Sequence, residues 1–250
     1  MHVVMKRLSD LVSPQRRPHA VQTAARILAA AFAISLLAGT SLARADDMAF
    51  KLVALSDPQA CRSATKCVDV IVADGEIVDA TPQAFMSFLA KSMDDNRLRT
   101  VVFINSPGGK VVASMQLGQM FRKVGAMTVV ARVVAPPPGS GLNAAFASAR
   151  CYSACVYALM GGKKRIAPPQ SSIGIHRMFN VVGGRDPAGF SEEPQKVYDA
   201  GRLGGKLSAY AGMMGVSPDL VTTAERISSD NIHILTPAEL RRWRLASQKF

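Results

Sequence analysis

Long apolar runs, aromatic rings and cysteines are all scarce in this 250-residue chain. Aromatic residues make up 6% of it, with one tryptophan, Trp243, and the cysteines number four. No basic stripe interleaved with aromatics occurs, so a nucleic-acid surface is not expected despite a formal net charge of +12. The cysteines lack the Cys-x-x-Cys spacing of structural zinc sites, and no metal or other cofactor is expected. There is no internal repeat and no low-complexity tract, which leaves an ordinary globular chain. The one sustained apolar run, Ile27 to Gly39, is too short to span a bilayer comfortably.

That run has a different reading. Lys6, Arg7, Arg16 and Arg17 precede it, and Ala43-Arg44-Ala45 follows with the small-x-small pattern of a signal peptidase site. Residues 1–45 therefore read as a signal peptide, and 46–250 as one exported domain, periplasmic or secreted. The alternative is an uncleaved leader that anchors the chain to a membrane. The leader holds six Lys/Arg and one Asp, leaving 24 basic against 17 acidic residues, a net charge of +7. All four cysteines, Cys61, Cys67, Cys151 and Cys155, lie beyond the leader, where an oxidising compartment favours disulfides. Three connectivities are open; local pairing, Cys61 with Cys67 and Cys151 with Cys155, is the preferred one.

Strand and helix signals alternate. Val68 to Val72 is a β-branched strand, and Thr100 to Ile104 is a continuously apolar one, as strands buried on both faces of a parallel sheet are. Glu76 to Val78 reads as a short strand. Thr81-Pro82 opens a helix with Phe85, Phe88 and Leu89 on one face. A second helix carries Ala113, Leu117, Met120, Phe121 and Val124, and Met127 to Val134 is the next strand. Pro136 to Gly141 reads as an inserted surface loop or flap. Gly-rich, aperiodic sequence runs from His176 to Gly189, and a long helix is expected to open at Ser191. Ser217-Pro218 opens another helix, and Thr236-Pro237-Ala238-Glu239 matches a capping box. The fold class is α/β, with repeated strand–helix units, a mostly parallel sheet and flanking helices.

Chemistry concentrates in two stretches. In the first, Ile104-Asn105-Ser106-Pro107-Gly108-Gly109, two glycines let backbone approach a ligand closely. In the second, Ser153 sits among small residues ahead of the apolar run Val156 to Met160, and Ser172 to Ile175 delivers His176. A hydroxyl and a base are the first needs of nucleophilic catalysis.

These stretches, with Gly162-Lys163-Lys164-Arg165 and the Ile175-His176 pair, resemble the Clp protease proteolytic subunit and the wider ClpP/crotonase superfamily, including its signal peptide peptidase branch. The resemblance runs from about Val68 to Leu245. It implies Ser153 as nucleophile, His176 as general base, and the N–H groups of Gly109 and Ala154 as oxyanion hole. It also implies a carboxylate that orients the histidine: Asp230 lies nearest the expected place, with Glu225 and Asp219 as other candidates. Lys163 or Lys164 as a serine–lysine partner is the weaker reading beside a solvated turn. The function implied is an exported serine peptidase acting on peptides or unfolded protein, with homo-oligomerisation a family habit and no ATPase partner, since an exported chain meets no ATP. The alternatives are a catalytically silent peptide- or partner-binding relative, and acyl-thioester chemistry, which export away from coenzyme A disfavours.

Overall fold

The computed structural model describes residues 46–54, 69–92, 98–140, 144–185, 191–198 and 201–249. The leader, Cys61 and Cys67 lie outside the described residues. Among the described residues, no helix is long and apolar enough to cross a membrane.

The central sheet grows from the apolar runs. Strand β2 (Asp69–Asp74) pairs in parallel with β3 (Leu98–Asn105), and β3 in parallel with β4 (Met127–Val134). Helices α1 (Thr81–Ser92) and α2 (Val111–Lys123) make the two crossovers. The edge strand β1 (Ala49–Ala54) runs antiparallel to β2. Val70, Val72, Phe103 and Val129 pack on one face of this sheet, while Ile71, Val102, Ile104 and Val130 join the larger core on the other. Two-sided burial is why these strands read as unbroken apolar runs.

The surface loop expected at Pro136 to Gly141 is exposed from Pro137 to Ser140, but the chain beyond it is tied to the sheet. Pro136 to Ser140 turns the chain back as β5 (Ala145–Ser148), antiparallel to β4, and the Phe146 ring lies 4.7 Å from Phe103 between centroids. The insertion is thus an extended hairpin tied to the sheet. Glu76 and Ile77 form isolated bridges, to Asp47 and Gly109, rather than a strand.

A second, three-stranded sheet carries the chemistry: β6 (Arg150–Tyr152) pairs in parallel with β8 (Ser172–Ile175), and β11 (His233–Ile234) lies antiparallel on the far side of β8. Between β6 and β8 come the wholly buried helix α3 (Cys155–Met160) and the short β7 (Lys164–Ile166), parallel to β4. Helices α2 and α3 touch through glycines, for a Cβ on Gly161 would stand 2.0 Å from the Gly118 carbonyl oxygen.

After β8 the expectation of a Gly-rich loop and a long helix from Ser191 is overturned. The chain forms a two-stranded antiparallel hairpin, β9 (Asn180–Arg185) with β10 (Ser191–Val197), and helix α4 (Arg202–Met213) starts only at Arg202. Pro194 sits in the register shift between Glu192 and Gln195, the kind of strand position that tolerates a residue without an N–H. Helix α5 (Asp219–Ala224) follows, then β11 and α6 (Pro237–Arg242), whose Thr236/Glu239 capping box is complete.

One cation ties the helix ends together. Arg165 donates to the carbonyls of Gly162, Met214, Arg244 and Leu245 at 2.6 to 3.2 Å, and Arg122 shares the Met214 carbonyl at 2.9 Å. Carbonyls at helix C-termini carry partial negative charge that a guanidinium satisfies. Burial, with Arg122 close by, pushes the Arg165 group down to about 10, so it stays charged at neutral pH.

Candidate active site

The site begins where β3 breaks. The Asn105 side chain donates to Asp74 at 2.9 Å and accepts the Arg150 N–H at 3.1 Å, so the end of β3 is pinned to the start of β6. Ser106, fully buried, continues the join: its N–H meets the Arg150 carbonyl at 2.8 Å, and its carbonyl accepts the Tyr152 N–H at 3.1 Å. Gly108 and Gly109 then adopt φ of +118° and +130°, a region that effectively requires glycine. Ile77 grips the turn from outside, donating to the Gly108 carbonyl at 2.8 Å and accepting from the Lys110 N–H at 2.7 Å. In such a parallel bridge the middle residue's N–H faces away from the partner, so that of Gly109 is left over. A Cβ on Gly108 would stand 2.8 Å from the Ser153 Cβ and 3.3 Å from the Ala154 nitrogen. The glycine turn therefore lies directly against the serine.

Ser153 follows β6 and precedes α3, the strand–turn–helix arrangement that projects a side chain. Its φ is +56°, one of two positive values among non-glycine residues described. Such a conformation costs about 1–3 kcal/mol and persists only where surroundings impose it. Here they do: the Ser153 N–H donates to the Gly174 carbonyl at 2.8 Å, and its own carbonyl accepts the Val156 N–H at 3.1 Å. Cys151 and Cys155, both fully buried, are bridged across the turn with Cα atoms 5.3 Å apart. With its sulfurs joined, this pair offers no thiolate to a metal or a substrate. The N–H groups of Gly109 and Ala154 have no acceptor among the described residues, which leaves both for an incoming oxygen.

His176 arrives on the neighbouring strand. Tyr152 is in register with Gly174, so Ser153 and His176 leave the ends of strands about 4.8 Å apart. The His176 Nδ1 lies 2.8 Å from the Arg177 carbonyl oxygen. A carbonyl can only accept, so the Nδ1 carries the proton and the Nε2 keeps its lone pair, as a base needs. Among the described contacts, no hydrogen bond joins the Ser153 hydroxyl to the ring. The two residues instead share a narrow recess, without room for a water molecule, with Val156, Tyr157, Ile175, Met178, Leu220 and Ala224. Its lining is apolar, and burial together with the Glu225 charge holds the Tyr157 hydroxyl protonated.

The acids fall elsewhere than expected. The Asp230 carboxylate pairs with Lys196 and accepts from the Ser228 hydroxyl at 3.4 Å, and makes no bond to His176. It is well exposed, and the Lys196 ammonium holds its carboxyl below the usual range. Asp219 is an exposed residue in the first turn of α5. Glu225, by contrast, lies 3.4 Å from Arg177, the residue whose carbonyl receives the histidine proton. Lys163 and Lys164 are exposed at the far end of α3 and line a separate depression with Leu240, Arg241 and Arg244, so neither forms a pair with Ser153. Sequence reasoning missed the Arg177 carbonyl and the recess residues from α5, because only folding brings them to the strand ends.

No protein-family model matches the chain, and no curated protein matches it. Solved structures do resemble it. A serine-to-alanine variant of the 1510-N membrane-bound stomatin-specific protease superposes with a TM-score of 0.45 at 20% identity, over 70% of this chain and 76% of that one. A lysine-to-alanine variant of the same protease, in complex with a substrate peptide, gives 0.45 and 20% over 70% and 72%. ClpP1 from Listeria monocytogenes gives 0.42 and 16% over 68% of this chain and 84% of that one. These are likenesses of chain path, and the chemistry open to this chain rests on its own residues.

Proposed function

We propose that the chain is a ClpP-like serine peptidase, working outside the cytoplasm without an ATPase, with peptides or unfolded protein as substrates. The observation that carries this reading is the Ser153 turn, held at φ +56° against Gly108 and Gly109, with His176 opening into the same recess. The Ser153 Oγ attacks the scissile carbonyl while the His176 Nε2 takes its proton. The carbonyl oxygen, now negative, is received by the Gly109 and Ala154 N–H groups, each worth about 3 kcal/mol in the transition state. His176 returns the proton to the departing amine as the C–N bond breaks, leaving an ester on Ser153. Water, deprotonated by the same imidazole, then hydrolyses the ester and frees the serine.

That Ser153 and His176 share no hydrogen bond does not count against this, since catalytic hydrogen bonds often form or tighten only when substrate binds. A fluorophosphonate probe, which reacts only with an activated serine, tests the reading. Labelling of the wild type that is lost in Ser153→Ala and His176→Ala supports it; a folded wild type that stays unlabelled removes it. One observation favours a second reading, a silent peptide-binding relative: among the described residues, no carboxylate is hydrogen-bonded to His176. Tight peptide binding by unlabelled protein would identify that case. Oligomerisation belongs to the first reading and is checked by sedimentation.

A further inference from the structure

The orientation of the His176 ring depends on where one peptide carbonyl points. Its Nδ1 proton goes to the carbonyl of Arg177, its own chain neighbour, so whatever fixes Arg177 fixes the ring. Three contacts do so. The Arg177 N–H donates to the Ile227 carbonyl at 3.0 Å. Its Nε lies 3.4 Å from the Glu225 Oε2, and its guanidinium carbon sits 4.4 Å from the centre of the Tyr198 ring.

Glu225 is well placed to hold such a contact. It closes helix α5, where its N–H is spent on the Val221 carbonyl, and the preceding Ala224 lines the recess itself. Its side chain and that of Arg177 are 30% and 38% exposed, so water screens the pair only partly. The Arg177 Nε has no aligned hydrogen bond of its own, which leaves the Glu225 carboxylate as the anionic group facing it. There is also a charge argument. An imidazolium forming at His176 would be opposed by an uncompensated guanidinium one residue away, and the Glu225 charge cancels that repulsion.

We propose that Glu225 is a positioning residue for His176, acting through Arg177: the carboxylate fixes the arginine, and the arginine's carbonyl holds the imidazole. This rests on the serine peptidase reading. It assigns the orienting acid to a residue that never touches the histidine.

The test uses the full chain with Glu225→Gln, Arg177→Gln, the double variant and Asp230→Asn. Two quantities are read: the rate of fluorophosphonate labelling, and the His176 tautomer by ¹⁵N NMR, its signals identified by their loss in His176→Ala. Glu225→Gln should slow labelling about 10-fold, a fraction of what a general base supplies, and should populate the Nε2–H tautomer. The double variant should be no slower than Arg177→Gln alone, because the two residues act in series. Asp230→Asn should match the wild type in both. A folded Glu225→Gln protein with unchanged tautomer and unchanged rate overturns the proposal, as does additivity in the double variant. Should Glu225→Gln fail to fold, Arg177→Lys, which keeps the charge but loses Nε, must show the same slowing and tautomer change or the proposal falls. A wild type that is never labelled removes the peptidase reading instead, and the tautomer comparison still decides the positioning one.

Discussion

Ser153 and His176 leave neighbouring strands, yet the two arms around them are held in different ways. The serine arm is fastened by backbone: Ile77 to Gly108 and Lys110, Ser106 to Arg150 and Tyr152, Ser153 to Gly174, with a disulfide across the turn. Beyond one backbone tie, from the Arg177 N–H to the Ile227 carbonyl, the histidine arm is fastened by side chains in partial contact with water. Arg177 reaches Glu225 and Tyr198, Lys196 lies 4.9 Å from the Phe179 ring, and Phe179 lies 6.2 Å from the His176 ring. Backbone bonds in a dry turn give one geometry at fixed cost. Side-chain pairs at a surface are weaker and screened, so they let the base adjust as substrate arrives. A preformed oxyanion site and an adjustable base is the division of labour this suggests.

The sharpest way to break the serine arm is Gly109→Ala. A Cβ there would stand 2.0 Å from the Ile77 carbonyl oxygen at φ +130°. We expect a loss of more than about 3 kcal/mol, read as a collapse in thermal stability, because the neighbour in the way is backbone. Next comes the bridge. Replacing Cys151 and Cys155 together by alanine should cost about 2 kcal/mol for so short a loop, seen in denaturant titration. A smaller effect separates two serine replacements: Ser153→Gly should be more stable than Ser153→Ala by about 1 kcal/mol, since only glycine relaxes at φ +56°.

The histidine arm should respond to acid instead. Strand β11 supports β8 through His233 and Ile234, and Glu239 holds β11 to α6 by binding the His233 ring at 2.8 Å and the Thr236 N–H at 2.8 Å. Burial alone would push the Glu239 carboxyl up, but the bonds from Thr236 and His233 outweigh it and hold it below its ordinary range. A carboxyl depressed by folding contributes stability above its unfolded value, about 4.3, and loses it as pH falls through the lower folded value. Stability should drop across that acidic window by about 1 kcal/mol, the worth of a cap, and Glu239→Gln should flatten the drop. The smallest effect is expected from Asp230→Asn. Its charge is spent on Lys196 at the exposed root of the hairpin, so probe labelling at neutral pH should not change.

Local signals were legible where the chain interacts with itself over a few residues. The apolar runs of β2, β3 and β4 declared a parallel sheet, and the Thr236-to-Glu239 capping box is present in full. The glycine pair declared a turn that no other residue can make. The hairpin from Asn180 to Val197 was illegible because the side chains described on it are exposed, Val181, Val182 and Val197 included, so no alternation marks a buried face. The glycines read as a loop and Ser191 as a helix start, and only cross-strand pairing made the two segments strands. Among the acids, sequence position favoured Asp230 over Glu225; one meets Lys196 and the other Arg177 only after α5 and β10 are packed.

By itself the sequence determined the strand–helix order of the parallel sheet and the residue types of the site, since helix caps, strand burial and glycine conformations are local preferences. Tertiary structure decided how those residues act together. The His176 tautomer, the carbonyl that accepts its proton, the acid behind that carbonyl and the recess beside Ser153 each join segments from 20 to 70 residues apart or depend on such joins. Long-range packing selects among chemically equivalent candidates, and no short-range pattern records the choice.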